Sequence, residues 1–212
     1  MQESEKQKIE ELLDSGEIEN LELVWQLLTG LRKEPLEFFV KHRLRSVYAE
    51  LTDYTLIVKP EGDLGGKMVL LEFPEVSFSL SVDEKNLVGL RNEVNIFLTL
   101  RVNRVFQVRK DISKGELGNA WAVIHNGLKL NPVEYLVRYY LVNSGLNPFH
   151  VSVSVERQPF GDHLIVYSRD NGTANFLFNR IDYDKGLTDY IKHGMFEVIA
   201  NILPEAEGWA GL

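Results

Sequence analysis

Residues 76–82, Val-Ser-Phe-Ser-Leu-Ser-Val, alternate strictly between apolar and serine side chains. Successive side chains of a β-strand point to opposite faces, so this pattern predicts a strand with one face in a core and one in water. The same period of two runs through residues 54–58 and 68–73, which predicts a hairpin across a loop at 61–66. The middle of the first half of the chain is therefore predicted to be an antiparallel sheet.

Three stretches before this sheet instead repeat their apolar side chains every three or four residues. Residues 4–14, residues 18–31 and a stretch that begins near Pro35 each keep one side apolar and the other polar, which predicts amphipathic helices. Gly30 lies where the second helix is expected to end, and proline suits the first turn of the third. Residues 1–50 are therefore predicted to form a helical N-terminal layer.

The longest candidate strand follows the sheet, at residues 94–108. Its apolar side chains recur at every second position, beginning with Val94, Ile96 and Leu98, and polar side chains lie between them. Arg104 interrupts the apolar row. Because an unpaired buried guanidinium is costly, we expect a bulge to turn it outward, a carboxylate to meet it, or a pocket to receive it.

Two further helices are expected from their start signals. Ser113 with Glu116 three residues later fits a capping box, and Asn131-Pro132 opens the next helix, with Gly145 placed to end it. Alternating apolar side chains then predict strands at 149–155, 163–169 and around 176–178, and a last helix at about 184–202.

The order of these elements lacks the regular alternation of strand and helix that a parallel sheet needs, so the class is α+β. We expect a single domain over residues 1–212, with a helical N-terminal layer, an antiparallel or mixed sheet of about six to seven strands, two central helices and a C-terminal helix. The expected core includes five side chains on the apolar faces of their elements: Trp25, Phe78, Trp121, Leu136 and Val153.

Composition narrows the function. The 212 residues are 44% hydrophobic and contain no cysteine, which excludes disulfides, cysteine-ligated zinc and iron–sulfur clusters and fits a reducing, cytoplasmic compartment. No secretory signal and no run of about 18 apolar residues is present, so we expect neither export by that route nor a membrane span.

The net charge of −8 opposes binding to nucleic acid or to an anionic membrane. Two stretches are basic in spite of the negative net charge. Neither contains the interleaved aromatic side chains on which nucleic-acid bases stack. They are Arg32, Lys33, Lys41, Arg43 and Arg45, and Arg101, Arg104, Arg109, Lys110 and Lys114. We expect them to be solvated faces, with no nucleic-acid and no membrane partner.

The common catalytic and phosphate-binding motifs, GxSxG, GxxxxGK[ST], GxGxxG and HExxH, are missing from the sequence. The five histidines also lack the short spacings of a local metal site, so no metal is expected. They are His42, His125, His150, His163 and His193. No catalytic residue is identified from the sequence.

One constellation stands out from this background. Residues 139–144 lead through 151–156 and 164–169 to Asp170-Asn171-Gly172. This order of helix, strand, strand and Asp-Asn-Gly resembles the N box and first G box of the gyrase and histidine-kinase (GHKL) ATPases. The resemblance implies that Asn143 holds magnesium, that Asp170 reads the adenine amino group, and that Gly172 lets the backbone approach the nucleotide.

The same residues also fit a simpler interpretation. Ala174 stands where the family has its second glycine, and no glycine-rich lid follows. Asn-Gly between two apolar runs is in addition the strongest short-range signal for a hairpin turn. A nucleotide site and a plain hairpin therefore both remain open at residues 170–172.

Three functions are compatible with the sequence. The first is a non-enzymatic binding or interaction module for an unknown protein or small molecule, with no cofactor. The second is a nucleotide-binding domain of GHKL type, which would take ATP with magnesium. The third is a hydrolase with a site of dispersed His, Asp and Ser, because such sites need no local motif.

Overall fold

The computed structural model describes residues 3–62, 66–143, 145, 151–159, 161–168 and 172–179. The chain divides into two compact units, Met1–Asn103 and Arg104–Leu212. In its described residues each unit combines helices with a three-stranded antiparallel sheet, which confirms the α+β class. A single domain over residues 1–212 stays a prediction, because compactness of each unit does not decide whether the two fold independently.

The first unit opens with the helical layer that the sequence predicts. Its elements are α1 (Glu3–Asp14), α2 (Ile18–Gly30), α3 (Pro35–Val47), β1 (Thr55–Glu61), β2 (Gly66–Glu72), β3 (Ser77–Asp83), α4 (Leu87–Phe97) and a π-helical segment, π1 (Leu98–Val102). The strand order is β1-β2-β3, and each neighbouring pair is antiparallel. The hairpin and the alternating strand of residues 76–82 are therefore confirmed.

The sheet of the first unit buries one face under helices. Val69 and Leu71 of β2 and Phe78 and Val82 of β3 are buried, while the serines between the buried β3 positions are exposed. Helix α4 packs against β3, and α3 against β1. The alternation seen in the sequence thus marks the boundary between core and solvent.

The strand predicted at residues 94–108 is wrong. Residues 94–97 belong to α4, 98–102 form π1, and the rest lies in a helix that extends to Ser113. The buried apolar residues of this stretch are three or four positions apart, which is the repeat of a helix, while Ile96 and Leu100 are exposed. That buried subset is Val94, Leu98, Val102, Val105 and Val108.

The elements of the second unit are helices followed by strands. They are α5 (Asn103–Ser113), whose first residue ends the first unit, α6 (Leu117–Ala122), a second π-helical segment, π2 (Val123–Leu128), α7 (Pro132–Asn143), β4 (Val151–Gln158), β5 (Gly161–Ser168) and β6 (Gly172–Asn179). The strand order is β4-β5-β6. The prediction of one sheet of six to seven strands is therefore wrong, because the described strands belong to two sheets, one in each unit. The helix predicted at 184–202 lies outside the described residues.

Helix α7 has the boundaries that the sequence predicts. The Asn131 side chain accepts hydrogen bonds from the backbone N–H of Val133 at 2.9 Å and of Glu134 at 3.3 Å. At the other end Gly145 has φ +93° and donates its N–H to the Val142 carbonyl at 3.0 Å. Between these caps α7 packs against β4, with Leu136 fully buried.

The capping box at Ser113 and Glu116 is not formed. Ser113 is the last residue of α5, and its hydroxyl donates to the Lys110 carbonyl at 2.8 Å. Helix α6 begins after Glu116 without a side-chain cap. A capping box requires its serine to lie outside any helix, whereas Ser113 still belongs to α5. The pattern therefore predicted a helix start at the residue where the preceding helix ends.

Three of the five predicted core residues are buried: Phe78, Leu136 and Val153. Trp25 and Trp121 are partly exposed instead. The Trp25 indole N–H donates to a carboxylate oxygen of Glu84 at 3.2 Å, and its ring meets Phe39 edge-on at 5.9 Å between centroids. A tryptophan with a polar edge thus lies at the margin of the core, where its N–H finds an acceptor.

Candidate functional site

The residues of the predicted nucleotide site are only partly described. Asn143 is the last residue of α7, and its exposed side-chain amide donates to the Tyr139 carbonyl at 2.7 Å. Gly172 begins β6 and pairs with Ser168 of β5. Asp170 lies outside the described residues. Nucleotide binding therefore stays a prediction, which a thermal shift with ATP and magnesium, absent in Asp170→Asn, would support.

One histidine contacts a carboxylate in the first unit. Nε2 of the buried His42 lies 2.9 Å from Oδ1 of the exposed Asp14 at the end of α1. The nearby Ser15 hydroxyl donates to the Leu12 carbonyl at 2.7 Å and accepts from the Asn20 amide at 2.8 Å. The hydroxyl of Ser15 is thus engaged elsewhere and is not activated by His42, as a hydrolytic nucleophile would need to be.

Metal binding finds no support within the described ranges, where no three His, Asp or Glu side chains group together in a way that could hold an ion. Over the same part of the chain, no helix combines the length and apolar character needed to cross a membrane.

Several cations of the two basic stretches are engaged by their own units. Lys41 lies 2.5 Å from Glu37, and the Arg101 guanidinium lies 5.4 Å from the centre of the Phe78 ring. Arg104 donates to the Gly127 carbonyl. These contacts favour structural roles for the three cations.

A polar cluster of the first unit surrounds Lys67 on β2. Its Nζ lies 2.5 Å from Glu34, the residue before α3, and 2.8 Å from Glu84, the residue after β3. Burial lowers the pKa of Lys67, but the hydrogen bonds and charges of Glu34 and Glu84 outweigh it, so the pKa is raised. Trp25 also donates to Glu84, so the cluster joins four segments of the unit.

A different kind of surface lies where α3 ends beside α4. The Arg43 Nε–H donates to Oδ1 of Asn95 at 3.1 Å, and the Tyr48 hydroxyl lies 3.5 Å from the Leu98 carbonyl oxygen. Burial raises the pKa of the Tyr48 phenol. The two contacts fix the last turn of α3 along residues 95–98.

Apolar side chains project to solvent at this junction. Val47 is 56% exposed, Ile96 57% and Leu100 42%. We call these three residues the Ile96 patch. Its exposed neighbours on the helix are Asn92 and Thr99, which are uncharged, and Glu93, which is acidic. Ile96 and Leu100 are four residues apart and lie on one side of the helix. A group of exposed apolar side chains is a candidate interaction surface, whereas single exposed ones need no explanation.

The backbone at the Ile96 patch is unusual. In π1 the Asn103 N–H donates to the Leu98 carbonyl, one residue farther back than in an α-helix. Within π1, Leu98 and Val102 are buried and Leu100 faces solvent. Single π-helical turns occur frequently at functional sites, which supports the patch as the candidate site.

Sequence reasoning missed this patch because it assigned Ile96 and Leu100 to the buried face of a strand. The signal was present in the spacing of four between these two residues, on a helix whose buried positions are Val94, Leu98 and Val102. The buried stripe and the exposed stripe are offset by two positions, so an apolar residue occurs at every second position, as it does in a strand.

Comparison with protein-family models, with curated proteins and with solved structures finds no match to this chain. Its function is therefore inferred from its own surface chemistry.

Proposed function

We propose that this protein is a non-catalytic interaction module that binds a protein partner through the Ile96 patch. One observation carries the proposal: Ile96 and Val47 are the two most exposed of the large hydrophobic side chains in the described part of the chain, and they lie at one helix junction. The sequence adds that the common catalytic motifs are missing.

Burial of the patch against a partner would contribute favourably to the free energy of binding. Fully burying a valine, leucine or isoleucine side chain is worth roughly 1.5–3 kcal/mol, so two half-exposed side chains leave about 1 kcal/mol each to be gained. Asn92 and Thr99 beside the patch are uncharged and Glu93 is acidic, so the patch has an apolar centre and a partly charged rim, as protein interfaces do. The partner chemistry that fits is a protein surface with an apolar centre.

Arg101 is not assigned to this surface, because its guanidinium lies over the ring of the buried Phe78, a contact within its own unit. We place the interaction in the cytoplasm, since a chain without cysteine fits a reducing compartment.

The test compares captured proteins between matched variants. The immobilised chain and its Ile96→Asp and Ile57→Asp variants are exposed to an extract of the source cells, and bound proteins are quantified by mass spectrometry. Ile57 is 41% exposed on β1 and lies outside the patch, so Ile57→Asp controls for an added charge. We expect the captured amount of one protein to fall at least tenfold with Ile96→Asp and to be unchanged with the control variant. Equal recovery on all three chains would contradict the proposal.

A further inference from the structure

The sheet of the first unit ends at β3, and the hydrogen bonds of the preceding turn fix which backbone groups lie on its outer edge. Phe73 and Val76, which close the turn between β2 and β3, exchange both backbone hydrogen bonds, at 2.7 Å and 3.3 Å. In an antiparallel pair, residues that exchange hydrogen bonds alternate with residues that do not. Because the register continues from this turn without a break, Phe78, Leu80 and Val82 direct their N–H and C=O groups toward β2.

The serines between these residues direct the same groups away from the sheet. Ser77, Ser79 and Ser81 therefore form a row of backbone donors and acceptors along the outer edge of β3. All three serines are exposed, and within the described ranges no backbone hydrogen bond from outside the sheet engages them. Asp83 is next in the row, but its carbonyl already accepts from the Asn86 N–H at 3.2 Å. The open edge is thus the run from Ser77 to Ser81.

The opposite edge of the same sheet is protected. The same alternation directs the backbone groups of Leu56, Val58 and Pro60 of β1 outward. Proline has no N–H to donate, and Lys59 beside it adds a charge; both features protect sheet edges from pairing with another chain. The run from Ser77 to Ser81 contains neither proline nor lysine. Its row of donors and acceptors, repeated every second residue, matches the backbone of an extended peptide.

We propose that β3 binds an extended peptide segment of a partner protein, which adds a further antiparallel strand to the sheet beside Ser77–Ser81. The side chains of β3 define which segment fits. Leu80 is only partly buried, whereas Phe78 and Val82 on either side of it are buried, so an apolar side chain opposite Leu80 would cover it. On the other face, the exposed serines favour small polar side chains opposite them.

The end of β3 defines the charge of the peptide. Asp83 is exposed and lies opposite Gly66 in the β2–β3 pair, so no side chain of β2 faces it there. Opposite charges stabilise a directly opposed pair of residues and like charges destabilise it, so a basic residue fits beside Asp83. The ligand is therefore a segment that alternates apolar and small polar residues and has a basic residue at its amino end. This edge is a second binding surface, distinct from the Ile96 patch.

Two N-methylated forms of the peptide Lys-Val-Thr-Val-Thr-Val-Thr test the proposal. The lysine is matched to Asp83 and the threonines to the serines, so the threonine N–H groups face β3. The first form carries N-methyl groups on its valines, which keeps these N–H groups, and the second form carries them on its threonines, which removes them. The two forms have the same side chains, and each has one blocked edge, so neither can stack into fibrils.

Fluorescence anisotropy of each labelled form with the full chain gives the affinities. We expect the form methylated on valine to bind at least about tenfold more tightly, because the other form lacks the hydrogen bonds to Ser77, Ser79 and Ser81. Equal affinity of the two forms would overturn the proposal, and so would the absence of binding by either form up to about 1 mM.

Two variants at one position locate the peptide on β3. Ser79→Pro removes an N–H of the outer edge and no hydrogen bond to β2, so it should weaken binding of the valine-methylated peptide at least about tenfold. Ser79→Thr keeps that N–H and should bind as wild type. Circular dichroism reports whether each variant keeps its fold. A folded Ser79→Pro variant with the affinity of wild type would show that the peptide lies elsewhere.

A charge exchange tests the direction of the peptide. Wild type should bind the lysine peptide more tightly than the same peptide with glutamate in place of lysine. Asp83→Lys should reverse this preference, because the like-charged pair then forms with the lysine peptide. The same preference in both chains would contradict the antiparallel alignment beside Asp83.

Discussion

The Arg104 guanidinium donates a hydrogen bond to the Gly127 carbonyl oxygen and so links α5 to the end of π2. Carbonyls in the last turn of a helix lack partners within it, and Arg104 supplies one. The sequence predicted that this arginine must be turned outward, paired or placed in a pocket. Its actual partner is a backbone carbonyl, reached from a helix and not from a strand.

The close approach at Gly127 gives a first prediction. A Cβ added there would lie 3.0 Å from Cδ and 3.2 Å from Nε of Arg104, so Gly127→Ala should displace the guanidinium and weaken its hydrogen bond. Gly118→Ala in α6 is the matched control, since a Cβ there meets nothing within 4 Å. We expect Gly127→Ala to be less stable than Gly118→Ala by about 1–2 kcal/mol in urea denaturation. Equal gains from both alanines, as helix propensity alone would give, would show that Arg104 adapts without loss.

Lys129, the residue directly after π2, supports a second prediction. Its φ of +60° is left-handed, a conformation that costs an L-residue roughly 1–2 kcal/mol and glycine almost nothing. Lys129→Gly should therefore raise the free energy of unfolding by about 0.5–1 kcal/mol, after allowance for the added flexibility of the unfolded chain. Lys110→Gly, in helix α5, should lower it by about 1 kcal/mol. Chemical denaturation should show that the same change from lysine to glycine raises the free energy of unfolding at position 129 and lowers it at position 110.

The Lys67 cluster gives a prediction on stability and pH. Lys67→Met leaves Glu34 and Glu84 without their shared cation and should lower the free energy of unfolding at pH 7 by about 1–2 kcal/mol. Lys59→Met on the exposed side of β1 should change it by less than about 0.5 kcal/mol. Similar losses in both variants would mean that the cluster adds no stability.

The sign of the pH effect follows from the raised pKa of Lys67. A cation whose pKa is higher in the folded state stabilises the fold fully below its unfolded pKa, near 10.5, and this contribution disappears as pH rises through the folded value. Wild-type stability should therefore fall more steeply above pH 10.5 than that of Lys67→Met. Parallel curves for the two proteins between pH 10 and 12 would contradict the assignment.

The sequence predicted correctly those elements that are marked by their own residues, either by capping residues at their ends or by a clear apolar period. Helix α7 starts at Asn131 and is closed by Gly145, because both residues bond to the helix that they delimit. Strands β2 and β3 were predicted because alternation there coincides with burial. The helical layer from α1 to α3 followed from a clear period of three to four.

Elements with two overlapping patterns were not predictable in the same way. In residues 94–108 the buried positions and the exposed Ile96 and Leu100 together imitate a strand, so the spacing of four within each set was masked by the period of two that both sets form together. The exposed patch was hidden by the same coincidence. Trp25 shows a related limit, since its partner Glu84 is distant in sequence.

Site-specific photo-cross-linking from position 99 tests the proposed interaction module most directly. Thr99 is exposed between Ile96 and Leu100, so a photoreactive residue there leaves the patch intact. In the source cells it should give a discrete protein adduct that is lost when Ile96→Asp is added and that does not form from position 57 on β1. An adduct that persists with Ile96→Asp, or that forms equally from position 57, would contradict the assignment of the Ile96 patch as the binding surface.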